Sequence, residues 1–106
     1  MKMTQIKIDE FAKCLREERF YDAHEALEAL WFPRRSEKSA EVMLIKGLIN
    51  AAVSFELIKR GRIPQSKKVW QNYLKYRQFL FKIDSPYLND YYQLSRDVEL
   101  LAQKLN

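Results

Sequence analysis

The sequence predicts an all-α protein, a single-domain bundle of about five helices around a buried central helix. Three observations carry this. Only two glycines and three prolines interrupt 106 residues. Apolar residues recur at three- and four-residue spacing, and no segment alternates with the period of two that a strand requires. One segment, VMLIKGLINAAVSFELI, is apolar around almost its whole circumference, as a helix enclosed by others must be. A chain that is 47% hydrophobic and 31% charged is too apolar to remain disordered. At this length it forms one domain, residues 1–106, with a modest core.

The elements follow in order. Helix α1 is expected over about residues 9–18, with Asp9 as N-cap and Phe11, Cys14 and Leu15 on one side. Helix α2 is expected from Asp22, where DAHE has the form of a capping box, to the residue before Pro33. After the charged loop PRRSEKS, α3 is expected from about Glu37 to Arg60 and is closed by Gly61. Its small residues Gly47, Ala51 and Ser54 form a stripe where another helix can come close. Residues 64–105 read as a helical hairpin. Its first arm, α4, carries Val69, Tyr73, Tyr76, Leu80 and Ile83 on one face to about residue 83. A DSP turn follows, with Ser85 as N-cap and Pro86 in the first helical position. The second arm, α5, carries Tyr91, Leu94, Val98, Leu101 and Leu105. Short connections predict antiparallel neighbours among α3, α4 and α5.

Composition excludes several classes. One cysteine, Cys14, cannot form an internal disulfide, which argues for a reducing cytoplasm. The sequence MKMTQIKIDEF lacks the apolar run of a secretory signal, and Lys46, Asn50 and Glu56 break the longest apolar stretch, so no membrane span is expected. The net charge of +5 is unevenly spread. Residues 9–28 hold seven acids against three bases, whereas residues 59–82 hold eight bases and no acid.

The chemistry, if any, centres on FYDAHEALEALWFP. The only histidine, His24, stands one turn before Glu28, and the pair lies on the border of the apolar face beside Trp31. An imidazole and a carboxylate so placed can share a proton or act as base and orienter. The spacing H-E-x-x-E lacks the second histidine of a zinc motif, and Asn50 or Glu56 would have to complete a ligand set. No metal or other cofactor is therefore expected.

The residues Phe20, Tyr21, Ala23, His24, Glu25, Leu27, Glu28 and Trp31, followed by Gly47, Leu48, Ile49, Ala52, Arg60 and Gly61, resemble a small bacterial and archaeal family, domain of unknown function 309. Its hallmark is F-[FY]-x-A-H-E-x-L-E-x-x-W, then G-L-I-Q-x-A, then R-G. The similarity covers about residues 11–61. Asn50 stands where the family usually has glutamine, and Glu56 where many members have histidine, which removes a potential ligand. The resemblance implies a compact helical bundle and brings no activity with it.

Three functions fit these observations. The first is a non-enzymatic interaction or scaffold module, bound to a protein partner or a second copy, in which His24 and Glu28 form a polar latch between α2 and α3 with Asn50 as partner. The second is a small-ligand binder or acid/base enzyme. Its cleft between α2 and α3 would use His24 and Glu28, with Trp31, Lys46, Asn50 and Glu56 as lining. The third is nucleic-acid binding through residues 59–82, where bases alternate with Trp70, Tyr73, Tyr76, Phe79 and Phe81.

Overall fold

The computed structural model describes residues 2–105 and is built around α3, Ala40–Lys59. The other helices are α1 (Met3–Arg16), α2 (Phe20–Trp31), α4 (Ile63–Arg77) and α5 (Leu88–Leu105). Short 3-10 turns at Phe32–Arg34 and Gln78–Lys82 extend α2 and α4. The described residues contain no strand, so the all-α expectation holds.

Helix α3 buries nine residues distributed around its axis: Val42, Leu44, Ile45, Gly47, Leu48, Ala51, Ala52, Ser54 and Phe55. It packs along α2 on one side and α4 on the other, and α5 crosses it as well. Helix α1 covers α2 and touches α5. The resulting core joins Phe11, Phe20, Leu27, Leu44, Leu48, Phe55, Tyr73, Tyr91 and Leu94 with their smaller neighbours. Cys14 belongs to this core, and burial pushes its thiol pKa up.

Helix boundaries differ from expectation where caps were assigned from sequence. Helix α1 starts six residues before Asp9, because Ile8 already faces the core and Asp9 accepts from Gln5 one turn earlier (2.9 Å) instead of capping. It ends at a turn in which Glu18 adopts a left-handed backbone, φ 55°, and Arg19 N–H reaches the Cys14 carbonyl at 2.9 Å. Helix α2 starts at Phe20, not Asp22. The Asp22 carboxylate is engaged by the Arg19 guanidinium at 2.8 Å, and no side chain caps this helix. Helix α3 starts at Ala40, with the Ser39 hydroxyl accepting from Val42 N–H at 3.2 Å. Gly61 closes it as expected, at φ 75°, with Arg62 N–H bonded to the Leu57 carbonyl at 2.9 Å. Helix α4 keeps α-geometry only to Arg77. The 3-10 turn beyond it directs Leu80 inward and Phe81 outward. Ser85 shapes the turn before α5, accepting from Tyr87 N–H at 3.1 Å, and the helix itself begins at Leu88.

The small-residue stripe of α3 is the seat of α4. A Cβ on Gly47 would stand 2.8 Å from the Tyr76 Cβ, at the root of a side chain that cannot swing away. Two turns further along α3, Ser66 donates to the Ser54 carbonyl at 2.8 Å. The two helices are therefore antiparallel and nearly in backbone contact. Helix α5 meets α4 through side chains: Tyr73 donates to Glu99 at 2.8 Å, and Arg77 lies 3.5 Å from the same carboxylate.

A partly buried carboxylate ties the far end of α3. Glu41 accepts from Tyr91 at 2.7 Å, from Ser85 at 3.0 Å and from Arg34 at 3.4 Å. Four segments thus share one carboxylate in the first turn of α3, where the helix dipole also favours it.

Two outcomes follow from this packing. Gly47→Ala gains about 1 kcal/mol of helix propensity but forces α3 from α4, a change that costs about 1–3 kcal/mol in packed cores. The expected net result is a lower urea midpoint than that of the unaltered chain. The second concerns pH. Burial pushes the Tyr73 and Tyr91 phenols up, and their hydrogen bonds to Glu99 and Glu41 act in the same direction. Such a phenol holds its proton more tightly when folded than when unfolded. Its contribution is complete below the ordinary tyrosine value of about 10 and is lost as pH rises above it. Urea midpoints should decline above about pH 10, and Tyr91→Phe should make that decline shallower.

Candidate functional site

Helix α2 runs antiparallel to α3, so its first half faces the last third of α3. Between them lies a cleft of about 200 Å³, lined by Phe20, Tyr21, His24, Val53, Glu56, Leu57 and Arg60. The floor is apolar. The Phe20 ring rests on Phe55 at 5.3 Å between centroids, and Val53 and Leu57 complete it. Polar groups stand on the rim.

Each polar rim group already has a partner. His24 Nε2 meets Glu28 Oε2 at 2.5 Å along α2, and the contact is ionic when the imidazole carries a proton. The Glu56 carboxylate takes the Arg60 guanidinium at 3.1 Å along α3. Tyr21 stacks edge-on to His24 at 5.8 Å, and its hydrogen bond to Glu25 pushes the phenol pKa up. Lys59 reaches over the Phe20 ring and donates to the Glu18 carbonyl at 3.1 Å, fixing the α1–α2 turn beside the cleft.

Of the residues singled out from sequence, His24 and Glu56 line this cleft, and Glu28 adjoins it through His24. The others lie elsewhere. Trp31 is two turns further along α2 and packs, half-buried, against the core. Lys46 sits above the Tyr76 ring at 5.3 Å. The Asn50 amide donates to the Lys46 carbonyl at 2.8 Å and accepts from Asn72 at 3.2 Å. Lys46 and Asn50 thus face α4, and Asn50 is not the partner of His24 that its place opposite α2 suggested. The reason is rotational: a helix apolar all round gives no indication of which neighbour a given polar residue meets. The His24–Glu28 contact, moreover, lies within one helix, so it does not itself bridge α2 and α3.

Phe20, Tyr21, Val53, Leu57 and Arg60 were not read as lining residues. Antiparallel pairing of α2 and α3 across the short connection would have matched the start of one with the end of the other. No group of three or more His, Cys, Asp or Glu among the described residues is placed to hold a metal ion. No helix among them is long and apolar enough to cross a membrane.

The basic segment resolves into two faces. Tyr73 is fully buried, and Trp70 stacks between Phe55 and Tyr73 at 5.8 and 4.7 Å. Lys46 and Lys75 lie over Tyr76, and Lys82 over Phe79. Only Phe81 of the interleaved aromatics is open, at 72% exposure.

Residues 8–69 match the sequence model of the family described as Domain of unknown function (DUF309). That is more than half of the 106 residues. The chain belongs to this family. The DUF309 match runs from the first core residue of α1 into α4, further at both ends than the motifs alone indicated. It contains the whole α2/α3 cleft and excludes α5. No curated protein and no solved structure matches the chain.

The geometry sets the scale of the histidine's structural role. His24 and Glu28 are 24% and 40% exposed, and such partly solvated pairs contribute about 1 kcal/mol or less. His24→Ala should therefore lower the unfolding free energy by no more than roughly 1 kcal/mol, measured by urea titration. A loss of several kcal/mol would mean that the pair holds α2 to α3 after all.

Proposed function

We propose that this protein is a non-enzymatic binding module whose α2/α3 cleft receives one aromatic or aliphatic side chain of a partner. The observation that carries the reading is the construction of the cleft, with an apolar floor of Phe20, Val53 and Leu57 below a rim of paired charges. A volume of about 200 Å³ suits one large side chain and is below the range of about 300–1,000 Å³ typical of small-molecule sites. The pairing of His24 with Glu28 and of Glu56 with Arg60 favours recognition over proton transfer. The Glu25 carboxylate, bonded by Tyr21 at the edge of the cleft, favours a partner with a basic residue beside its apolar anchor.

Titration of the isotopically labelled protein with N-acetylphenylalaninamide tests this. Amide shifts are expected at Phe20, Tyr21, His24, Val53 and Leu57, and they should vanish in Val53→Glu. If the shifts cluster elsewhere, or do not appear at saturating probe, the reading falls.

A further inference from the structure

Opposite ends of α3 carry complementary surfaces. The cleft occupies the C-terminal end, from Val53 to Arg60. The 3-10 turn Gln78–Lys82 lies at the other end. Tyr76 already packs on Gly47, and the chain then runs on toward Ser85, which bonds Glu41 in the first turn of α3. Twenty helical residues span about 30 Å, so one copy cannot bring the two surfaces together.

That turn presents Phe81, the most exposed large hydrophobic residue among those described, at 72%. Leu80 and Ile83, both buried, anchor the turn on either side of it. The ring is therefore held outward by the fold, and docking it requires little ordering. Around it, Tyr92 and Leu100 are also open, at 44% and 57%, along a groove of about 440 Å³ between the turn and α5.

Charge is complementary as well. Near Phe81, Arg77 is paired with Glu99, but neither Arg96 nor Lys82 has an acidic partner among the described residues, and Lys82 lies over the Phe79 ring. Asp84, two residues beyond Lys82, offsets part of this positive charge. At the cleft, Glu56 is paired with Arg60 and Glu28 with His24, which leaves Glu25, bonded by Tyr21, as the open acid and Lys59, over the Phe20 ring, as the open base. Arg96 and Lys82 at one end thus face Glu25 at the other.

We infer that the partner is a second copy of this chain, with Phe81 of one molecule seated in the α2/α3 cleft of the next. This rests on the docking reading above and names its occupant. Such seating sets the receiving surface that carries the exposed Tyr21 and Glu25 against the donor surface that carries Tyr92, Leu100 and Arg96. The two patches differ and lie at opposite ends, so the contact is head-to-tail. It propagates into a chain of molecules or closes a ring, and it does not stop at a symmetric dimer.

Sedimentation velocity of the full chain over a wide concentration range is the test. The unaltered protein should form species larger than a dimer as concentration rises. Phe81→Ser, which keeps the cleft, and Val53→Glu, which keeps Phe81, should each sediment as monomers with unchanged helical circular dichroism. Mixed together, they should form a one-to-one dimer and nothing larger, because one intact end remains on each. Should Val53→Glu lose helicity, Leu57→Lys replaces it. An unaltered chain that is monomeric throughout overturns the inference, as does an assembly indifferent to Phe81→Ser or a mixture that stays monomeric. Repeating the phenylalaninamide titration on Phe81→Ser separates the two readings. Shifts at the cleft without self-association would leave the binding module standing and remove only its partner.

Discussion

Helix α3 must be covered on every side, and most of the architecture answers that constraint. Its apolar residues leave no solvated face of any width, so it is stable only when helices flank it. Helices α2 and α4 lie along it, α5 crosses it, and α1 backs α2. Gly47 sets how close α4 can come, since the room a methyl group would take is filled by Tyr76. The stacked rings of Phe55, Trp70 and Tyr73 then fill the seam. On the α2 side this covering is incomplete at the cleft, where α2 begins at Phe20 beside Val53 and Leu57.

Much of this was legible in the sequence, for identifiable reasons. Helix number and order came from apolar periodicity, which depends on side chains that have to be buried. Gly61 was legible because a positive φ after a helix favours glycine. The small-residue stripe was legible because only close approach explains a glycine in the middle of a helix. Capping was read less well. Asp9 and Asp22 have the side chain of an N-cap, but each instead pairs with a residue one turn earlier or nearer. Glu18 gives no sequence sign of its left-handed backbone, which glycine normally occupies.

The site was half legible. His24 and Glu28 came from spacing along one helix, which sequence reports directly. Glu56 lies at the cleft with His24, while Asn50 and Lys46 face α4, because rotation about α3 depends on which helix claims each face. The Glu41 group was missed altogether. Its members lie up to fifty residues from Glu41, and only the return of the chain through the Ser85 turn and α5 brings Ser85 and Tyr91 to the carboxylate.

That carboxylate has a consequence for what counts as the folding unit. The family-matched segment ends at residue 69, but the hydroxyls that satisfy Glu41 come from residues 85 and 91. Tyr73, Leu80, Tyr91 and Leu94, all beyond that limit, belong to the same core as Leu44 and Leu48. A fragment cut at residue 69 would expose one flank of α3 and leave the partly buried acid of its first turn without two of its donors. The family-matched part of the sequence is therefore not expected to hold this fold when excised. The stretch outside it supplies cohesion rather than decoration, since it closes the core over α3 and brings two donors to Glu41.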